Sequence, residues 1–281
     1  MGSQLSKRLG FVLAVLATFA AMIFSPASVR AQEGYAQHGV FQVGERLTYK
    51  VKWGFLRLGT IILETRRSPQ NGEKYLIQLE AKSSLPIINF HRKSESELDP
   101  SVLFSEDLLQ FEFEDEDTIE TRVQYDRDTK RSSFMEINRT KGKIMRSLAQ
   151  DDVHPYLDAS SMWFFARSMA RSAQVCTVQI IRGFEFKQTL LDFRAPVEEF
   201  DIGAIDESVP AIEMAGATSA AGQSAGGFEG DFHAWFSDDA AAVLLKAEIK
   251  ISVGKVKIEL ESWERAGWEP PTWKDRKLAR R

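Results

Sequence analysis

Residues 44–64 read GERLTYKVKWGFLRLGTIILE, and their alternation decides the fold class. Leu47, Tyr49, Val51 and Trp53 fall on one side and Arg46, Thr48, Lys50 and Lys52 on the other, the period of a strand with one apolar and one basic face. A Trp-Gly step interrupts the pattern before Ile61 and Leu63 resume it. Gly54 and Gly59 allow a bend or bulge, so strands over 46–54 and 58–66 form a pair that can coil.

The same period runs on through the chain. In SPQNGEKYLIQLEAKS, Asn71-Gly72 is a hairpin signal and Tyr75, Ile77 and Leu79 then face one way. Further strands read at FHRKSESELD, TIETRVQYD, RSSFMEIN, VCTVQII, FEFKQTLLDF, FHAWFS, VLLKAEIKISV and KVKIELESW. About a dozen short strands point to an all-β chain, a single curved, mostly antiparallel sheet closing toward a β-barrel or β-spiral.

One stretch departs from the period. In LDASSMWFFARSMARS, Asp158 can cap a helix and Met162, Phe165, Ala166 and Met169 recur at helical spacing, predicting one helix over 159–171 that packs on the concave side of the sheet. The small-residue run AGATSAAGQSAGG at 215–227 reads as an internal loop of one domain spanning 32–263. After Pro270-Pro271 the pattern is lost, and 264–281 reads as a flexible basic tail whose Lys274, Arg276, Lys277, Arg280 and Arg281 could touch an anionic envelope surface.

Residues 1–31 have another character. Lys7 and Arg8 precede the apolar run LGFVLAVLATFAAMIF, then a Ser-Pro break and SVRA, the order of a secretory signal cleaved after Ala31. The run is shorter than the roughly 20 residues that span a bilayer, which argues against an uncleaved anchor. The mature protein is therefore expected in the periplasm, as a soluble monomer.

The chain of 281 residues is 43% hydrophobic and 27% charged with a formal net charge of −4, enough to bury a large core and no general reason to bind nucleic acid. Removing the leader removes three cations and no acid, which deepens the negative balance. The single cysteine, Cys176, has no partner for an internal disulfide and reads as a small core residue.

Catalytic patterns are weak. GQSAG at 222–226 fits the nucleophile-elbow pattern, but the strand before and helix after Ser224 that the chemistry needs are missing. His38, His91, His154 and His233 have no metal-ligand spacing. The acidic run with Glu112, Glu114, Asp115, Glu116 and Asp117 lacks the glycine and staggered oxygens of a calcium loop and reads as a solvated hairpin tip. No metal or cofactor is expected.

Three segments together carry a family resemblance: FQVGERLTYKVKWGFLRLGTIILE, DASSMWFFAR at 158–167, and FHAWFSDDAAAVLLKAEIKISVGKVKIEL. In this order they resemble the bacterial exported family called domain of unknown function 3108, over roughly residues 41–263. Where such a turn has an arginine and a proline after Asp238-Asp239, this chain has Ala240-Ala241-Ala242. The resemblance implies an envelope protein with a curved β-rich fold and supplies no catalytic residue.

The expectation is a non-enzymatic periplasmic protein that supports envelope integrity by binding a lipid, a glycan or a partner protein, the alternative being an envelope hydrolase with an unrecognised site. A lipid or glycan would use an apolar groove bordered by Tyr49, Trp53, Gly54, Gly59, Trp163 and Trp235, left open if the helix does not fill it. A partner protein would pair with an exposed edge strand.

Overall fold

The structure, a computed structural model, describes residues 39–279 except 86–89, 102, 115, 183, 218–231 and 252–253. The leader, His38, the GQSAG run, Arg280 and Arg281 lie outside the described residues. Fifteen strands form one antiparallel sheet: β1 Arg46–Trp53, β2 Leu56–Arg67, β3 Tyr75–Ser83, β4 His91–Leu98, β5 Ser105–Glu114, β6 Asp117–Asp126, β7 Arg131–Asn138, β8 Lys143–Gln150, β9 Val175–Arg182, β10 Glu185–Asp192, β11 Val197–Phe200, β12 Val209–Ala217, β13 Phe232–Ser237, β14 Leu244–Lys250 and β15 Lys255–Glu264. Helix α1 spans Ala159–Met169 and α2 spans Trp273–Ala279.

The order across the sheet is β8-β7-β6-β5-β4-β3-β2-β1-β15-β14-β13-β12-β10-β9, with β11 beside β12. Two meanders therefore meet where β1 pairs with β15, and the chain's two halves are joined at the middle of the sheet. The Trp-Gly interruption is a real irregularity: the register of β1 on β2 shifts between Val51 and Lys52, opposite Gly59 and Arg57, and Gly54 turns with φ +59. A Cβ on Gly59 would stand 2.3 Å from the Lys82 carbonyl oxygen, so β2 and β3 approach closely only because this residue is glycine.

Alternation sends Leu47, Tyr49 and Val51 to the interior. The basic face does not simply meet water. Lys52 pairs with Glu259 of β15 at 2.7 Å, Arg57 grips Glu261 at 2.6 and 2.7 Å, and Arg46 pairs with Glu64.

The sheet curls without closing. Its terminal strands are β8 and β9, yet Phe134 of β7 lies 5.8 Å from Phe184 and 5.5 Å from Phe186 on the far meander. These rings form, with Tyr125 and Tyr156, a second core separate from the main one. The connection after β8 bridges the seam: the Val153 N–H donates to the Lys130 carbonyl at 2.8 Å, and Leu157 makes a parallel bridge with Ile180 of β9.

The helix begins where the sequence places it. Asp158 accepts from the backbone N–H groups of Ser160 and Ser161, while Ser161 Oγ accepts from the Asp158 N–H, a reciprocal capping box. It ends two residues early, at Met169. Nine of its eleven residues are buried, because it occupies the concave side of the sheet.

Several expectations are corrected. Strands β5, β8 and β11 carry no strong period-2 apolar pattern, since β5 is half-buried, β8 is exposed throughout and β11 has only four residues. Residues 215–217, expected in the loop, extend β12: Ala215 and Gly216 pair with His233 and Phe232 of β13, and Gly216 lies against the Phe232 ring. The tail is a docked helix: β15 runs to Glu264, Thr272 Oγ1 caps α2 by accepting from the Asp275 N–H, and the Trp273 N–H donates to the Ser208 carbonyl at 2.8 Å.

Candidate functional site

The interior was the first candidate, and it is filled. Tyr49 is wholly buried, and its ring meets the Trp163 indole edge-on at 5.0 Å, so neither lines an open groove. Phe164 stacks on Phe41 at 4.6 Å. Trp53, on the same face of β1, packs against this core from the strand's end. Gly54 sits in an exposed turn, and Gly59 faces the Lys82 carbonyl; neither borders a groove.

Trp235 is on the other face. It alternates with buried Ala234 and Phe236, stacks on Phe200 at 5.2 Å, and donates through its indole N–H to Glu198 at 2.7 Å. Its expected place on the concave side is therefore corrected, by the parity of β13.

At the heart of the interior lies a charge cluster that the sequence reading did not single out. The Arg167 guanidinium donates to both oxygens of Glu45, at 2.7 and 2.9 Å, and to the Ala241 carbonyl at 2.9 Å. Arg265 binds the same carboxylate and the Gly39 carbonyl. Burial pushes the Glu45 carboxyl up, but the two guanidiniums outweigh it and hold the group below the usual carboxylate range. Asp239 completes the cluster: it accepts from the backbone of Ala241 and Ala242 and from the Trp268 indole. The signal available in the sequence was an arginine, Arg167, on the helical stripe of Trp163.

The Glu45–Arg167 pair at its centre is sealed from solvent, both at 0% side-chain exposure, so it fastens segments together instead of meeting a ligand. It joins the lead-in of β1, helix α1 and the β13–β14 turn. Those are the three segments that carried the family resemblance.

A match across most of the chain agrees. The model of a family described as protein of unknown function, DUF3108, matches residues 48–261. The chain belongs to the DUF3108 family.

No curated protein matches this DUF3108 chain. Among solved structures, a β-barrel-like protein of domain of unknown function DUF1849 from Brucella abortus is similar with a TM-score of 0.52 at 10% identity, covering 80% of this chain and 99% of that one. The likeness is one of fold. A hypothetical protein, CT021, from Chlamydia trachomatis overlaps at a TM-score of 0.35 and 10% identity, covering 86% of this chain and 96% of that one.

On the outer face of this DUF3108 domain, a shallow cavity of about 470 Å³ is lined by Asp192, Arg194, Ala195, Glu213 and Ala215. Both of its acids are engaged. Arg194 binds Asp192 at 2.7 Å and drives that carboxyl down to about 2, while Glu213 pairs with His233. Among the described residues no three His, Cys, Asp or Glu side chains gather as a metal site, and no helix is long and apolar enough to cross a membrane. Cys176 is half-buried, and burial pushes its thiol up to about 11.

The basic tail residues are partly committed. Lys274 pairs with Glu207 at 3.0 Å and Arg276 with Asp238, so two of the cations expected to meet a membrane hold α2 to the domain. The side chain of Lys277 is outside the described set.

What remains open are the ends of the sheet. All eight residues of β8 are exposed. Of the eight large hydrophobic side chains exposed among the described residues, Met135, Ile144, Met145 and Leu148 lie on β7–β8 and Val175 and Leu190 on β9–β10. At β8 the free side carries unpaired N–H and C=O groups with exposed apolar side chains on the faces beside it, whereas part of the β9 edge is taken by Leu157.

Proposed function

We propose that this DUF3108 protein is an exported periplasmic component of the bacterial envelope that acts by binding another protein and has no catalysis of its own. The observation that carries this reading is the gathering of exposed apolar side chains at the two edge hairpins, six of eight among the described residues, around a core already filled by α1. A filled core disfavours a lipid or glycan held inside. The leader-like residues 1–31 support export.

The test is site-specific photocrosslinking in the periplasm of living cells, with the crosslinker at Ile144, at Leu190 and, as control, at Thr60 on a central strand. Protein adducts at an edge position and none at Thr60 are expected. Stoichiometric acyl or sugar species in native mass spectra, with no adduct at either edge, would overturn the reading.

A further inference from the structure

The free side of β8 is chemically distinctive in a way that names its occupant. On several other strands cations are matched by acids: Lys52 by Glu259, Arg57 by Glu261, Arg92 by Glu112 and Lys255 by Glu248. β8, KIMRSLAQ, has two cations and no acid. Among the described residues neither Lys143 nor Arg146 forms an ion pair, and Arg146 instead lies 4.1 Å above the Phe184 ring. Lysine and a bulge are common guards of an edge, and β8 has both, with its register on β7 shifting between Glu136 and Ile137. A guarded edge does not also expose Ile144, Met145 and Leu148. Two cations that form no ion pair, beside aliphatic side chains on a strand whose outer edge is free, make an acceptor surface rather than a barrier.

We infer that β8 receives an extended acidic segment of a partner protein, added as a further strand of the sheet. The proposal rests on the partner-binding reading above and specifies its site and chemistry. Backbone groups on the free side of β8 supply the ladder, and side chains supply the selectivity. Arg146 and Leu148 stand two apart on one face, opposite Glu136 and Phe134 of β7. The incoming strand therefore places a carboxylate beside Arg146 and an aliphatic side chain two residues along, beside Leu148. The same pairing cannot be repeated at β9, because the bridge between Leu157 and Ile180 already occupies part of that edge.

The test uses the mature chain and a labelled peptide of alternating glutamate and valine, compared with its lysine-for-glutamate counterpart. Expected are saturable binding of the acidic peptide only, and slowed hydrogen exchange confined to β8 amides. In Arg146→Glu the acidic peptide should weaken by about tenfold or more and the basic peptide should gain, the signature of a charge swap. Ser147→Pro, which removes a backbone donor in an exposed strand, separates ladder pairing from charge alone. Absence of saturable binding, indifference to Arg146→Glu, or protection appearing away from β8 would each overturn the inference. If crosslinks still form at Ile144 or Leu190 while the acidic peptide fails, partner binding stands and this chemistry falls. If neither edge crosslinks, the reading itself falls.

Discussion

Glu45 and Arg167, 122 positions apart in the chain, are bound side by side at 2.7 and 2.9 Å with neither side chain exposed. The bond ties the first strand to the helix inside the sheet. Removing Arg167 leaves Glu45 to Arg265 alone, strips the Ala241 carbonyl of its donor and opens a buried void, which together cost about 3–5 kcal/mol. Arg167→Ala should therefore lower unfolding free energy by about that much in urea titration. A loss under about 1 kcal/mol would mean that the cluster is not fastening the helix.

The cluster also sets a pH dependence. The folded Glu45 carboxyl lies below its unfolded value of about 4.3, so its stabilisation is complete above that pH and fades as pH falls through the folded value. The stability gap between the native chain and Glu45→Gln should stay constant from pH 7 to about 4.3 and narrow only below it. A gap that closes already near neutral pH would contradict this assignment.

Gly59 should tolerate no side chain. Gly59→Ala would drive a methyl into the Lys82 carbonyl, an overpacking typically worth about 1–3 kcal/mol, whereas Gly72→Ala meets open space in its turn. Thermal melts of the two variants provide the comparison, and equal melting temperatures would refute the close approach of β2 and β3.

Cys176 should be inert while the chain is folded. With its thiol pushed up to about 11, little thiolate exists at pH 8, and reaction with a disulfide reagent should run about 100-fold slower than in the urea-unfolded chain. Equal rates in the two states would show that the thiol is open to solvent.

The alternation of Leu47, Tyr49 and Val51, the Asn71-Gly72 turn and the Asp158 cap determined most of this fold from the sequence alone, because strand parity, turn conformation and helix capping are local preferences read within a few residues. Strands without that local signature stayed hidden. β8 exposes both faces, so no burial imposes a period on KIMRSLAQ, and β5 shows its period only weakly because it is half-buried on both sides. Local pattern also could not say which face of β13 holds Trp235 relative to a groove, nor that α1 would fill the concave side.

Only the tertiary structure brought Glu45, Arg167, Asp239 and Arg265 together, since a buried charge declares its partner through distance in space and not through spacing in the chain. The same holds for the open edge. Which of fifteen strands ends the sheet follows from the meeting of β1 with β15, a pairing between the two ends of the domain that fixes every other neighbour and leaves β8 and β9 at the margins.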